Sequence, residues 1–195
     1  MGRRNWLMLF GSVETSKSVS APSEGETIES GADLTVTLDI DTNVSNFYSN
    51  PGFETAGAGS PDIFSYWSEA FGGGSVVDDS TDVHSGSHAA RLDFSGELTA
   101  VNAPSVIISA CRTADFSVWG HCDGSVAGVV HVRQKPTYAY FLSGTTGKGT
   151  EYIRVSSFGE IISGCTGLTT ELRSPTSGSG SIYYDDVSIS EPICL

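Results

Sequence analysis

Apolar and polar residues alternate with a period of two along most of this chain. The segment Asp33-Leu34-Thr35-Val36-Thr37-Leu38-Asp39-Ile40 shows it most cleanly, with Leu34, Val36, Leu38 and Ile40 on one side. That alternation makes a half-buried strand, and no stretch carries the 3.6-residue period of an amphipathic helix. From residue 46 onward the pattern predicts strands over 63–70, 74–79, 88–94, 105–110, 115–121, 126–133, 137–142, 150–157, 166–173 and 181–190. Gly72-Gly73-Gly74, Ser143-Gly144-Thr145-Thr146-Gly147 and Ser177-Gly178-Ser179-Gly180 supply the turns between them. Many short strands at this spacing predict an all-β fold, a two-sheet β-sandwich jelly roll. No internal repeat is visible.

The same alternation sorts side chains into a core set and a solvent set. Phe116 and Val118, Val130 and Val132, Ile153 and Val155, and Leu168 and Leu172 fall on the core side. Trp119, His121, His131, Arg133, Tyr152, Arg154, Glu171 and Arg173 fall on the other. An outward Trp among His, Tyr and Arg suits a glycan, because aromatic rings stack on sugar C–H faces while polar neighbours bond hydroxyls. The arginines equally suit an acidic glycan or the acidic surface of a protein partner. The plain alternative is an amphipathic sheet with Trp119 tucked beneath a loop. Jelly-roll strands alternate between two sheets, so these residues need not share one surface. Tyr138 and Tyr140 are weaker candidates.

A second candidate comes from Ile182-Tyr183-Tyr184-Asp185-Asp186-Val187-Ser188-Ile189. Strict alternation puts Tyr183, Asp185, Val187 and Ile189 on one face and drives the Asp185 carboxylate inward. A buried carboxylate without a partner is costly or protonates. A hard cation shared with Glu54 removes that cost, and Ca2+ takes carboxylate and backbone oxygens at flexible geometry. The alternative has Glu54 at the surface and Asp185 bonded to backbone amides.

These phrases also carry a family resemblance. Asn50-Pro51-Gly52-Phe53-Glu54, then Trp67, then Val83-His84-Ser85-Gly86-Ser87-His88-Ala89-Ala90-Arg91-Leu92, Phe116-Ser117-Val118-Trp119 and the closing Tyr183-Tyr184-Asp185-Asp186-Val187-Ser188-Ile189 occur in that order. Together they resemble the carbohydrate-binding modules of the family 4, 9 and 22 group, calcium-containing β-sandwich jelly rolls. The resemblance spans roughly residues 46–191. It implies a structural Ca2+ held by Glu54 and Asp185 with the carbonyls of Gly52 and Ser87, remote from the sugar.

Residues 1–45 lie outside that resemblance and read as an N-terminal arm before the jelly roll of 46–195. The arm's 33–40 strand cannot stand alone. It extends the sandwich or pairs with a neighbouring chain, and the second choice makes the protein oligomeric or assembled through its arm. Arg3-Arg4 and the apolar Trp6–Phe10 mimic the start of a signal peptide, but the run is short and Glu14 soon follows. A cleavable signal is therefore not expected.

A chain of 195 residues suffices for one domain with a sizeable core. A formal charge of −13 argues against nucleic-acid and anionic-membrane partners, which need a basic footprint. No apolar run approaches the ~20 residues of a membrane-spanning helix. Cys111, Cys122, Cys165 and Cys194 match no close-paired zinc spacing and leave both free thiols and disulfides open. Asp78-Asp79 and Asp185-Asp186 are adjacent on strands and point to opposite faces, unlike the opposed carboxylates of a glycosidase. His84 and His88 flank a turn, which does not make a metal pair. No nucleophile elbow or phosphate loop is present.

The expectation is a non-catalytic recognition or coat protein. A sugar-binding fold with an anchoring arm and no expected signal fits a virion surface component, such as a bacteriophage capsid decoration protein or appendage. The arm then holds a capsid or coat protein while the outer face serves glycan adhesion. The alternatives are a secreted carbohydrate-binding module, or a structural subunit of an extracellular coat or filament.

Overall fold

The computed structural model describes residues 46–107, 113–123 and 126–190. The expected arm, Cys111 and Cys194 lie outside the described residues. Twelve strands follow in chain order: β1 (Ala56–Gly59), β2 (Asp62–Phe64), β3 (Ser68–Phe71), β4 (Ser75–Asp79), β5 (Ala89–Ser95), β6 (Thr99–Asn102), β7 (Thr113–Cys122), β8 (Val129–Lys135), β9 (Ala139–Thr145), β10 (Gly149–Glu160), β11 (Gly167–Arg173) and β12 (Ser179–Ser190). No helix occurs among the described residues.

Two five-stranded antiparallel sheets form a β-sandwich. Sheet A has the order β10-β7-β12-β5-β4 and sheet B the order β3-β6-β11-β8-β9, with β1 and β2 as a separate hairpin. Leu92, Phe116, Val118, Ile182 and Tyr184 of sheet A meet Val101, Val130, Val132, Leu168 and Leu172 of sheet B in one core, all fully buried. Burying each such side chain is worth about 1.5–3 kcal/mol for the larger ones, which explains why the alternation fixes these faces. The Tyr184 hydroxyl crosses the core and lies 3.0 Å from the Val129 carbonyl and 2.9 Å from that of Arg173. One hydroxyl thus ties sheet A to two strands of sheet B.

Three departures of the sequence reading from the structure bear on the site; besides them, β1 was not predicted, and Ser143-Gly144-Thr145, expected in a turn, belong to β9. The 63–70 strand is broken by a turn in which the Trp67 N–H donates to the Phe64 carbonyl, leaving β2 and β3 on either side. Of the 105–110 prediction only 105–107 are described, where Val106 makes an isolated bridge with Leu168, whereas β6 just before it is a full strand. Thr99, Ala100 and Val101 are all buried, so β6 lacks the polar alternation that signals a strand.

The third departure concerns β12. Tyr183, Asp185, Val187 and Ile189 do not share a face, because Asp186 adopts a left-handed φ of 48° and the register against β7 slips between Asp185 and Ser188. This β-bulge adds one residue and reverses the alternation. Ile182 and Tyr184 fill the core before it, Val187 and Ile189 after it. Asp185 instead sits on the outer side of sheet A, level with Trp119 of β7. It is nevertheless fully buried, because the loop between β4 and β5 covers it.

Candidate functional site

The bulge builds the first of two sites. The Val187 N–H donates to the Pro51 carbonyl at 2.9 Å, docking the Asn50–Glu54 turn against β12. Phe53 anchors that turn in the core, its ring 4.7 Å from Trp67 and 5.0 Å from Phe64, and the Trp67 indole donates to the Asn50 carbonyl. Glu54 is thereby placed at the surface, where its Oε1 accepts from the Ser87 and His88 N–H groups at 2.8 and 3.2 Å. Asp185 Oδ2 accepts from His84 and Ser85 N–H at 2.9 and 3.0 Å, and its Oδ1 accepts from Asp186 N–H at 2.7 Å. Asp186 completes the set through Ser85 Oγ at 2.9 Å and His84 Nδ1 at 2.6 Å.

Gly52, Glu54, Ser87 and Asp185 therefore gather around one loop, as the sequence reading grouped them. A methyl group on Gly52 would lie 3.5 Å from Asp186 Oδ1, 3.7 Å from Asp185 Oδ1 and 3.7 Å from Glu54 Cγ. Gly86 has a φ of +68°, a conformation that favours glycine, and a Cβ there would stand 2.0 Å from Glu54 Oε1. Burial pushes the Asp185 carboxyl up to about 6, against the pull of the loop amides. Hard oxygen donors around an under-compensated carboxylate fit Ca2+ in kind. Among the described residues no group of three or more His, Cys, Asp or Glu forms a metal cluster, so an ion here would also need carbonyls and water.

Sheet A's outer face is closed beside this loop. The His84 ring stacks on Trp119 at 4.1 Å and 15°. His121, fully buried, stacks on Tyr183 at 4.5 Å and meets Tyr152 edge-on at 4.5 Å. The Tyr152 hydroxyl donates to the Asp82 carbonyl at 3.0 Å. His121 Nε2 lies 3.1 Å from Asp82 Oδ2, yet out of line for a hydrogen bond, and neither ring nitrogen has a hydrogen-bond partner among the described residues. Asp79 folds the loop's start: it accepts from Thr81 and Asp82 N–H and pairs with Arg91.

The eight solvent-set residues accordingly do not form one platform. Trp119, His121, Tyr152 and Arg154 belong to β7 and β10 of sheet A; His131, Arg133, Glu171 and Arg173 belong to β8 and β11 of sheet B. The alternation carried no information on which sheet a strand joins or on what covers it: His121 and His131, expected toward solvent, are buried, and Ile153, expected in the core, is exposed on the edge strand β10.

Sheet B's outer face is open. Asn102, Ala103, Arg133, Tyr138, Thr169, Thr170 and Glu171 line a groove of about 210 Å³. Arg133 Nη2 donates to Glu171 Oε2 at 3.0 Å, and the guanidinium lies over the Tyr140 ring at 5.3 Å. His131 Nδ1 is 3.4 Å and Arg173 Nε 4.0 Å from the same Glu171 oxygen. Tyr138 and Tyr140 are more than half exposed beside it. Neighbouring register, Glu171 opposite His131 and Asn102, and Arg133 opposite Thr169, brings these side chains together. Tyr138, Tyr140 and Asn102 matter more than the sequence suggested, because only pairing of β9 and β6 onto this sheet places them at the groove.

No family model matches this chain, and no curated protein matches it in sequence. Solved structures do match in fold. A family 61 carbohydrate-binding module in complex with β-1,4-galactotriose is 19% identical, with a TM-score of 0.54 over 75% of this chain and 99% of that one. The family 22 xylan-binding domain of a Paenibacillus barcinonensis xylanase is 10% identical, with a TM-score of 0.51 over 71% and 90%. The enzymatically active domain of tailspike protein 4 from bacteriophage CBA120 is 14% identical, with a TM-score of 0.58 over 74% of this chain but only 21% of that one. The described residues thus share the β-sandwich fold of carbohydrate-binding modules.

Proposed function

We propose that this protein is a non-catalytic glycan-binding module whose sugar lies along the outer face of sheet B. The observation that carries this reading is the open groove with exposed Tyr138 and Tyr140 beside Arg133, Glu171 and Asn102, on a fold shared with sugar-binding modules. Tyrosine rings offer stacking faces for pyranose C–H groups, while the amide and guanidinium groups suit hydroxyls. The groove is smaller than the ~300–1,000 Å³ of enclosing small-molecule pockets, which suits part of an extended chain. It is lined by a single carboxylate, Glu171, already bonded to Arg133, and glycoside hydrolysis requires two across a cleft. A glycan array of the intact chain, beside Tyr140→Ala and Trp119→Ala, tests the reading. Binding lost in Tyr140→Ala and kept in Trp119→Ala supports it; the reverse moves the sugar to sheet A. No binding to any glycan overturns it.

The Glu54 and Asp185 carboxylates, with the Gly52 and Ser87 carbonyls, are proposed to hold a structural Ca2+. Such an ion supplies positive charge to a buried carboxylate and cross-links three chain segments. An ion that binds only the folded state raises the melting temperature, so chelator must lower it. An unchanged midpoint overturns the site.

The tailspike likeness favours a second layer to this reading, a virion or other extracellular location. In it residues 1–45 dock to a capsid or coat protein and sheet B projects outward. Deleting 1–45 separates anchoring from folding: a folded chain that no longer assembles supports the anchor. A chain that assembles unchanged overturns it.

A further inference from the structure

Around Glu171, which lines the groove, sheet B's outer face carries more positive donors than acceptors. Arg133, Arg173 and His131 all converge on one oxygen of one carboxylate, Glu171 Oε2. Arg133 reaches it at 3.0 Å, but Arg173 stops at 4.0 Å, beyond hydrogen-bond length. Arg133 Nε and Arg173 Nε are shielded from solvent and have no hydrogen-bond partner among the described residues. Buried donors are ordinarily satisfied, and each left unmade is costly. Two guanidinium groups sharing a single carboxylate also leave a local positive excess, in a chain whose net charge is −13.

A neutral sugar does not resolve that imbalance, because its hydroxyls bring acceptors but no charge. A planar carboxylate supplies that charge, and its two oxygens match the fork of a guanidinium such as that of Arg173. Burial and the neighbouring Arg173 hold His131 below the usual imidazole range, in spite of Glu171. The excess charge therefore rests on guanidinium groups that stay ionised at all ordinary pH. Tyr140, 4.8 Å from His131 and under Arg133, supplies a ring face beside that charge.

From this we infer that the groove selects glycans bearing a carboxylate, of the uronic or sialic acid type, over neutral ones. The inference rests on sheet B being the glycan face. The donor to that carboxylate is Arg173 of β11, beside the groove, with Arg133 held in place by Glu171.

The test uses the unaltered chain against trigalacturonate and sialyllactose, each beside its carboxyl-reduced counterpart, by titration calorimetry. Charge-assisted hydrogen bonds predict at least about a tenfold preference for an acid form over its reduced partner. Arg173→Gln should erase that preference while its melting curve stays cooperative, and added salt should weaken it. Trigalacturonate and sialyllactose distinguish the two sources of the carboxylate. Equal binding of acid and reduced forms overturns the inference and leaves the glycan reading intact. A preference that survives Arg173→Gln, or one shown only for a sulfated glycan such as a heparin hexasaccharide, also overturns it. No binding of any glycan, neutral ones included, removes the glycan reading itself.

Discussion

The two outer faces of this sandwich are built from similar residues and end in opposite states. On sheet A, Trp119 stacks on His84 of the loop between β4 and β5, His121 stacks on Tyr183 and meets Tyr152 edge-on, and the carboxylates there bond that loop's own amides. On sheet B, Tyr138 and Tyr140 stay exposed, and two guanidinium groups have buried nitrogens without a hydrogen-bond partner among the described residues. The aromatics of sheet A thus contribute to stability, whereas those of sheet B remain available to a ligand. Neither aromatic content nor the satisfaction of polar groups distinguishes the two, since His121 of sheet A also lacks hydrogen bonds among the described residues; the cover of the loop between β4 and β5 does.

Breaking sheet A should therefore cost stability and spare recognition. The largest effect is expected from Asp185→Ala, which strips the acceptor from the His84, Ser85 and Asp186 N–H groups. Each orphaned amide costs roughly 1 kcal/mol or more, so urea denaturation should show a loss of about 3 kcal/mol. A loss under about 1 kcal/mol would mean that the loop is held by other contacts.

Trp119→Ala comes next. Removing its stack with His84 should cost about 2 kcal/mol in the same assay, with glycan affinity unchanged. Lost affinity at unchanged stability would place the sugar on sheet A and reverse the comparison.

Acid should attack the same face at comparable size. Burial alone would raise the Asp79 carboxyl, but Thr81 N–H and hydroxyl, Asp82 N–H and Arg91 outweigh it and hold the group at about 2, below its ordinary 3.8. A depressed carboxylate adds stability above its unfolded value and loses it as pH falls through the folded one. About 2 kcal/mol should therefore disappear between pH ~4 and ~2. Asp79→Asn should be less stable at neutral pH and show a flatter acid limb; an identical limb would rule out this contribution.

The smallest effect on the fold, and a clear one on binding, should come from Tyr140→Ala. The ring is 53% exposed, so stability should change by under about 0.5 kcal/mol. Affinity for a bound glycan should drop about tenfold, the loss of one stacking face worth ~1.4 kcal/mol.

Much of this was legible in the chain, for reasons that differ by residue. Phe116, Val118, Val130, Val132, Leu168 and Leu172 were assigned to the core and are fully buried, because a period of two in a half-buried strand admits one inward set. The grouping of Gly52, Glu54, Ser87 and Asp185 was also legible, through the ordered phrases that contain them. Asp185 was expected to be buried and is, but by a different route. Asp186 at positive φ reverses the face, and nothing in Tyr-Tyr-Asp-Asp-Val announces a bulge, since its energy comes from the Pro51 carbonyl and the loop amides across the fold.

The sequence by itself determined most of the strands, the inward faces of β7, β8 and β11 and the acidic, glycine-rich character of an all-β chain, because those depend on nearest neighbours along the backbone. Tertiary structure alone decided which strands share a sheet, and so which of Trp119, Arg133, Tyr140 and Arg173 can meet one ligand. Sheet membership is set by contacts between segments far apart in sequence, such as Tyr184 with Val129 and Arg173. Local alternation carries no trace of those contacts. For that reason the outward residues could be named from the chain, while the groove they line could only be seen once β6, β8, β9 and β11 were side by side.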